Sequence, residues 1–416
     1  MTLRVMVSGA GTAGLALTHW LHLIGVDVVT FERAAEFAPV GHYISLKGNG
    51  VEMVRRMGIL EACEERAVTL DELNFYTGRG RFIRRERTAA LTRAIGGLIF
   101  LRRADLQSAL YDLVAGRADI RFGTQIDKVD SRSDGVEVLL SDGTFERADV
   151  LVGADGIHSH TRGLLFGDGF EKPLGGYYIA TTQHLPHDLR PVTHTYLGTG
   201  VMVTVYPISP DVLSLVIYTG DGAGTPPLGD NLAVRDYLLS ICSDFPPTIR
   251  EVLGRISTSD FVFGDIIAQV VMPSVVRGRC ALVGDAAHSP TFLSGMGSSL
   301  ALQDAYVLAA SLARGSADLS AALASYEQTV APIAQKYRES ARGAHATLLA
   351  GGSIRSHLRN LVLGLIPNRV LEHGARRFIE AERPLAEMPP GLNNTGRLPA
   401  RPGTPAEDGL SPDPPI

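Results

Sequence analysis

The period of the apolar positions changes along the chain, and each change marks an element. Leu3–Ser8 is a short run rich in Val and Met, as a parallel strand buried on both faces requires. After a glycine turn, Leu17, Trp20, Leu21 and Ile24 recur at i, i+3, i+4 and i+7, the spacing of one helix face. Gly25 predicts the end of that helix, and Val26–Phe31 predicts a second strand, which completes a βαβ unit. The stretch GVEMVRRMGILEACEERA reads as one or two amphipathic helices. LNFYTGRGRFIRRER and AIGGLIFLRR read as strands that leave this lobe and return to it. ADLQSALYDLVAG is helical again, and VDSRSDGVEVLLSDGTFERADVLVGADG is a hairpin leading into a buried strand.

From about Gly175 to Val271 the pattern turns β-rich with Gly, Pro and Asp turns, which predicts a mainly antiparallel sheet inserted into the first lobe. GRCALVGDAAH returns to a buried strand, followed by two long Ala-rich helices to about Gly351. SIRSHLRNLVLGLIPNRVLEHGARRFIEA predicts terminal helices broken at Pro367. We expect this basic, apolar segment to pack over the domain junction, a membrane interface being the alternative. Eight of the twenty-eight residues from Pro389 on are proline, so residues 389–416 read as a disordered tail.

The fold class expected is α/β. A Rossmann-like dinucleotide-binding lobe takes residues 1–72, 102–170 and 272–345. A β-rich substrate lobe takes 73–101 and 171–271, and terminal helices take 346–388.

Composition narrows the class. The 416 residues are 45% apolar and 20% charged, enough for a large core. A net charge of −5 gives no footprint for nucleic acid. Cys63, Cys242 and Cys280 lie far apart without a Cys-x-x-Cys pair, and the twelve histidines are scattered. The expectation is a reducing, cytoplasmic setting with no metal site. No apolar run has the length to cross a bilayer. Oligomeric state is not readable.

The first turn, SGAGTAG, needs its glycines. Gly9 permits the tight turn, Gly11 lets the backbone approach a pyrophosphate, and Gly14 lets helix and strand pack closely. Thr12 and Ala13 begin the helix whose positive end meets phosphate. Glu32, eighteen residues beyond Gly14, can accept from both ribose hydroxyls and would repel a 2′-phosphate. These residues leave NAD and FAD open.

Two later segments, VLVGADGIHSHTR and CALVGDAAHSPTFLSGMGSSLALQDAYVLA, together with LRRADLQSAL, resemble the group A flavoprotein monooxygenases, the p-hydroxybenzoate hydroxylase-like aromatic hydroxylases. The resemblance spans nearly all of residues 1–345 in order. It implies FAD as cofactor and assigns roles by position. Glu32 would hold the adenosine ribose, with Arg33 near the adenine. Arg103 would contact the pyrophosphate region, with Gln107 one helical turn further. Asp155 would support the cofactor and the approach of the nicotinamide donor, and Asp285 would bind the ribityl chain. Gly295, Met296, Gly297 and Ser298 would run along the isoalloxazine ring.

The helix after Gly297 would be capped by Ser298 or Ser299, with Ala301, Leu302, Ala305, Leu308, Ala309 and Leu312 as its apolar stripe. Its positive end would favour the charge that collects on reduced flavin. Ser298-Ser299 departs from the Ala-Asn or Val-Asn that the family often carries here.

The chain has no second Gly-x-Gly-x-x-Gly unit, in keeping with a family in which NADH or NADPH docks transiently, reduces the flavin and leaves. Oxygen then gives a flavin C4a-hydroperoxide, from which water must be excluded. Pro290 and Phe292 are suited to wall that face. Tyr206, His42 and Tyr43 are candidates to line the substrate side, and a Tyr or His there could deprotonate a phenol.

The expected activity is FAD-dependent oxygenation, by hydroxylation or epoxidation, of an aromatic or polycyclic small molecule. An arginine-rich, lysine-poor composition and a roomy insertion suggest bacterial natural-product tailoring or drug modification. A flavin halogenase is set aside, because the single tryptophan, Trp20, cannot supply a Trp-x-Trp segment. A flavin protein that sequesters an intermediate without turnover is the alternative.

Overall fold

The computed structural model describes residues 3–380 apart from Val40, Asp188, Ser316 and Ala317, so the tail expected at 389–416 lies outside the described residues. The first strand, Arg4–Ser8, lies inside a six-stranded sheet. Its order is Val276–Arg277, Cys280–Leu282, Val150–Gly153, Arg4–Ser8, Asp27–Phe31 and Asp119–Arg121. All pairs are parallel except the outermost, Val276–Arg277 with Cys280–Leu282. The chain leaves Arg4–Ser8 to one side for Asp27–Phe31 and later returns on its other side as Val150–Gly153. The carboxyl end of the first strand is therefore a topological switch point, where open α/β sheets leave a crevice.

Helix Thr12–Leu23 is buried all along Thr12–Leu21 rather than on a stripe, because helices Arg103–Val114 and Gly297–Arg314 pack against it. A similar enclosure buries Ser299–Leu312 on every face of the 18-residue helix Gly297–Arg314. Neither Ser298 nor Ser299 caps that helix. Met296 is the N-cap residue and no side chain bonds there; Ser299 Oγ instead accepts the Lys47 N–H at 3.1 Å. The cause is close packing, since a Cβ on Gly50 would lie 2.3 Å from Ser299 Oγ.

The β-rich region forms a seven-stranded sheet in the order Phe261–Val270, Glu171–His184, Val212–Thr219, Val201–Ser209, Val192–Leu197, Glu72–Thr77, Phe82–Arg87. Only the Val192–Leu197 and Glu72–Thr77 pair is parallel. Alternation divides its two faces. Val203, Val205, Leu215 and Ile217 enter a core with Leu238 and Leu253, while Met202, Val216 and Tyr218 face the other way.

Helices Thr88–Ile95, Asn231–Ile241 and Pro247–Gly254 are additions to the elements expected from the sequence. Asp230 signals the second of these, its carboxylate accepting from Leu232 N and Ala233 N at the N-cap.

The terminal segment forms helices Ser353–Leu365 and Asn368–Glu380, with the break at Pro367. The first lies near strand Phe82–Arg87 of the β-rich sheet. Its buried side chains include Ser356 and Arg359, and its aliphatic side is exposed.

Candidate active site

A cavity of about 620 Å³ begins at the switch point and ends on the inner face of the seven-stranded sheet. At its first end the glycines act as their spacing requires. Gly9 has φ +104°, and a Cβ on it would lie 2.8 Å from Ala154 O. A Cβ on Gly14 would lie 1.8 Å from Gly9 O, so strand and helix meet there without room for a side chain. Gly11 has no atom within 4 Å of such a Cβ, which leaves its backbone open to the cavity.

Glu32 stands at the end of strand Asp27–Phe31. One of its oxygens accepts Ala10 N–H at 2.8 Å and the other accepts Ala34 N–H at 2.9 Å. Each oxygen keeps a lone pair for a hydroxyl donor.

Asp155 follows the buried strand Val150–Gly153. It accepts from Ser159 Oγ and from Thr161 N at 2.8 Å. Arg162 ties this loop to its surroundings, donating to Ile157 O at 2.7 Å, Ala286 O at 3.1 Å and Glu171 at 2.5 Å. His158 bridges Glu171 at 3.0 Å and Asp265 at 2.8 Å. Burial opposes its charge, but the two carboxylates outweigh burial and hold its pKa above the ordinary value.

Asp285 follows Gly284, whose N–H bonds Asp304 at 3.0 Å, and Asp304 also bonds His288 at 2.5 Å. Burial raises the Asp285 pKa, and the Arg103 guanidinium works against that rise. Thr291, with φ +76°, is the one non-glycine residue at positive φ among the described residues, and it lies between Pro290 and Phe292 in the cavity wall. Such a conformation costs on the order of 1 kcal/mol or more and concentrates at sites that need it.

His42 sits in an aromatic box, 4.2 Å from the Phe292 ring and 6.0 Å from Tyr178, while Tyr178 stacks on Phe292 at 4.7 Å. Burial, with Arg103 adding to it, pushes the His42 pKa down to about 3. Burial thus favours the neutral imidazole at His42 and weakens it as a proton acceptor. Burial pushes Tyr206 up to about 12. Tyr43 is likewise raised to about 12 by burial.

Lys47 is a residue the sequence did not single out. Its Nζ would lie 2.9 Å from a Cβ on Gly295, and burial lowers its pKa to about 8. With the uncapped N-terminus at Gly297, it makes this end of the cavity favourable for electron-rich ligand atoms.

Of the residues marked in the sequence, the cavity wall contains Gly9, Gly11, Thr12, Ala13, Glu32, Arg33, His42, Arg103, Asp155, Tyr206, Asp285, Pro290, Gly295, Gly297 and Ser298. Gly14, Gln107 and Met296 are not in the wall. Gly14 is filled by Gly9 O, and Met296 is buried beside Leu300 and Tyr337. Gln107 is buried one turn beyond Arg103, and a turn carries a helix about 5.4 Å along its axis. Tyr178, Tyr218 and the threonines Thr193, Thr195 and Thr204 join the wall from the sheet; strand alternation could have paired them, but only the strand order brings them together.

A switch-point crevice with an open glycine turn, a ribose-type carboxylate and a second lobe closing over it defines a dinucleotide-dependent oxidoreductase of two lobes. The family model described as "FAD binding domain" matches residues 2–208 and 262–341, and the chain belongs to that family, that of the p-hydroxybenzoate hydroxylase-like FAD monooxygenases. The chain is 30% identical to the FAD-dependent urate hydroxylase of Mycolicibacterium vanbaalenii, over 78% of this chain and 83% of that one. It is 26% identical to an FAD-dependent monooxygenase of Sarocladium schorii, over 81% and 85%. Among solved structures, Klebsiella pneumoniae HpxO complexed with FAD and uric acid superposes with a TM-score of 0.82 at 24% identity, covering 91% of this chain and 97% of that one. Tetracycline destructase Tet(55) superposes at 0.75 and 24%, covering 93% and 99%. FAD is the cofactor, and the open Gly11 backbone with the two-armed Glu32 fits its diphosphate and ribose.

Proposed function

We propose that the protein is an FAD-dependent monooxygenase that uses NADH or NADPH and O2 to hydroxylate or epoxidise an uncharged aromatic or polycyclic small molecule. The observation that carries this reading is one cavity running from the glycine turn to an aromatic wall on the seven-stranded sheet. When bound, FAD supplies hydride acceptance and oxygen activation.

In this reading Glu32 accepts from the ribose, with Arg33 beside it, and Gly11, Thr12 and Ala13 offer N–H groups to the diphosphate. Arg103 lies near the same diphosphate and Asp285 accepts from the ribityl hydroxyls. Gly295, Gly297 and Ser298 flank the ring, with Lys47 behind Gly295. Asp155 orients the loop at which the nicotinamide donor approaches. Pro290, Phe292 and Tyr178 exclude water from the reacting face.

Asp265 is the only carboxylate, and there is no Lys or Arg, among the sheet residues lining the cavity; His158 occupies that carboxylate. A charged substrate would therefore be left unpaired there, at a cost of several kcal/mol. Uric acid, held by the neighbouring HpxO, and tetracycline, named for the neighbouring destructase, are a compact and an extended ring system. The apolar wall built from Phe75, Met202, Tyr218 and Ile266 favours an extended one. That choice supports a role in natural-product tailoring or drug modification.

Anaerobic mixing with NADH or NADPH, in the presence of neutral polycyclic phenols, is expected to bleach the flavin. Product formed under labelled oxygen is expected to gain one labelled atom. Flavin that stays oxidised with either donor and every substrate would leave only a binding role and remove the proposal.

A further inference from the structure

Helix Ser353–Leu365 is turned the opposite way from a surface helix in water. Its inward face holds Ser356 and Arg359, both buried. Arg359 donates to Leu348 O at 2.6 Å, Gly198 O at 2.9 Å and Leu197 O at 3.1 Å, and Ser356 Oγ donates to Ala350 O at 3.1 Å. These bonds fix the rotation of the helix, because turning it would take from the buried guanidinium its three carbonyl acceptors.

The face turned outward is aliphatic. Ile354, Leu358, Leu361, Val362 and Leu365 recur at i, i+4, i+7, i+8 and i+11 and are 83%, 59%, 59%, 45% and 71% exposed. Val370, at 58%, adds to them in the next helix. Single exposed aliphatics are ordinary, but a row of five on one locked face marks a docking surface.

The charge beside this row has one sign. Among the described residues 351–379, the exposed ionisable side chains are Arg355, His357, Arg369, His373, Arg376 and Arg377. Within that range the one acid, Glu372, is partly buried and adds to burial in raising the Glu86 pKa, and Glu380 ends the second helix. This local excess of arginine sits on a chain whose net charge is −5.

We propose that these two helices dock the protein on an anionic phospholipid surface. The Ile354–Leu365 row enters the boundary between headgroups and acyl chains, and the arginines meet lipid phosphates. A second copy is a poorer occupant, because a two-fold contact would bring the same arginines face to face. No helix among the described residues is long and apolar enough to cross a membrane, so the attachment is peripheral. The docking face is joined to the cavity. Leu363, on the inward side of the same helix, packs against the apolar cluster that Leu348 and Phe75 of the cavity wall also join. The inference does not depend on the proposed reaction.

Flotation of the full-length, flavin-loaded protein with phosphatidylcholine vesicles, with and without phosphatidylglycerol, tests it. Binding is expected only to the vesicles containing phosphatidylglycerol, and added salt is expected to release it. Leu358→Glu with Leu361→Glu is expected to lower the partition about a hundredfold or more, and Arg369→Gln about fivefold. Both variants change exposed positions and should keep the visible flavin spectrum and the melting temperature. Absence of binding to either vesicle, equal binding to both, or wild-type binding by the double leucine variant would overturn the proposal. So would a solution dimer, seen by light scattering, that the double variant dissociates.

Discussion

Tyr206 presents a phenol to the cavity with its pKa pushed by burial to about 12, which favours the protonated form at neutral pH. A phenol held in that form is suited to position a substrate by hydrogen bonding rather than to take a proton from it. Tyr206→Phe is expected to weaken substrate binding about five- to tenfold, the worth of one hydrogen bond, while leaving the pH profile of kcat/KM unmoved. Loss of one limb of that profile would show a base instead. His42 makes a different prediction. Its folded pKa of about 3 lies below the ordinary 6.5, so the unfolded chain binds the extra proton and acid destabilises the fold. The loss runs at about 1.4 kcal/mol per pH unit from 6.5 downward and ends near 3. His19, lowered to about 4 by burial, adds a loss of the same sign. His42→Phe should therefore about halve the slope of unfolding free energy that the two histidines impose between about pH 6 and 4, measured by denaturant titration.

At the scale of elements, two glycines four or fewer residues apart have different duties in the same turn. A methyl on Gly14 collides with backbone, whereas a methyl on Gly11 enters open cavity. Gly14→Ala is expected to lower the melting temperature of the flavin-free protein, because helix Thr12–Leu23 must shift off its strand. Gly11→Val is expected to keep that melting temperature and to lose the flavin, seen as visible absorbance per mole of purified protein. This turn was legible in the sequence because every part of it lies within thirty residues of the next. Helix Asn231–Ile241 was missed although Asp230 announces it, because β-branched and aromatic residues on both sides favoured strands. The orientation of Ser353–Leu365 was not legible at all. The sequence left packing over the domain junction and a membrane interface as alternatives, and only the carbonyls of Leu197, Gly198 and Leu348, brought together by folding, decide that Arg359 turns inward.

Across the whole molecule, the Asp155 loop of one lobe is fastened to the seven-stranded sheet of the other through His158, Glu171 and Asp265. Because the folded pKa of His158 is raised, the stabilisation from its charge is complete below about 6.5 and is lost as pH rises through the folded value. His158→Gln is expected to lower the melting temperature at about pH 6 and to make a smaller difference at about pH 9, read by calorimetry against wild type. The sequence by itself determined the βαβ unit, the glycine turn and Glu32, since local spacing and backbone sterics dictate them, while its family resemblance marked Asp155 and Asp285. Tertiary structure alone decided that His42, Tyr178 and Phe292 form one box, that Lys47 lies behind Gly295, and which face of the last helices meets water. Those arrangements depend on strand order and on hydrogen bonds between residues more than a hundred positions apart, and no local period carries that information.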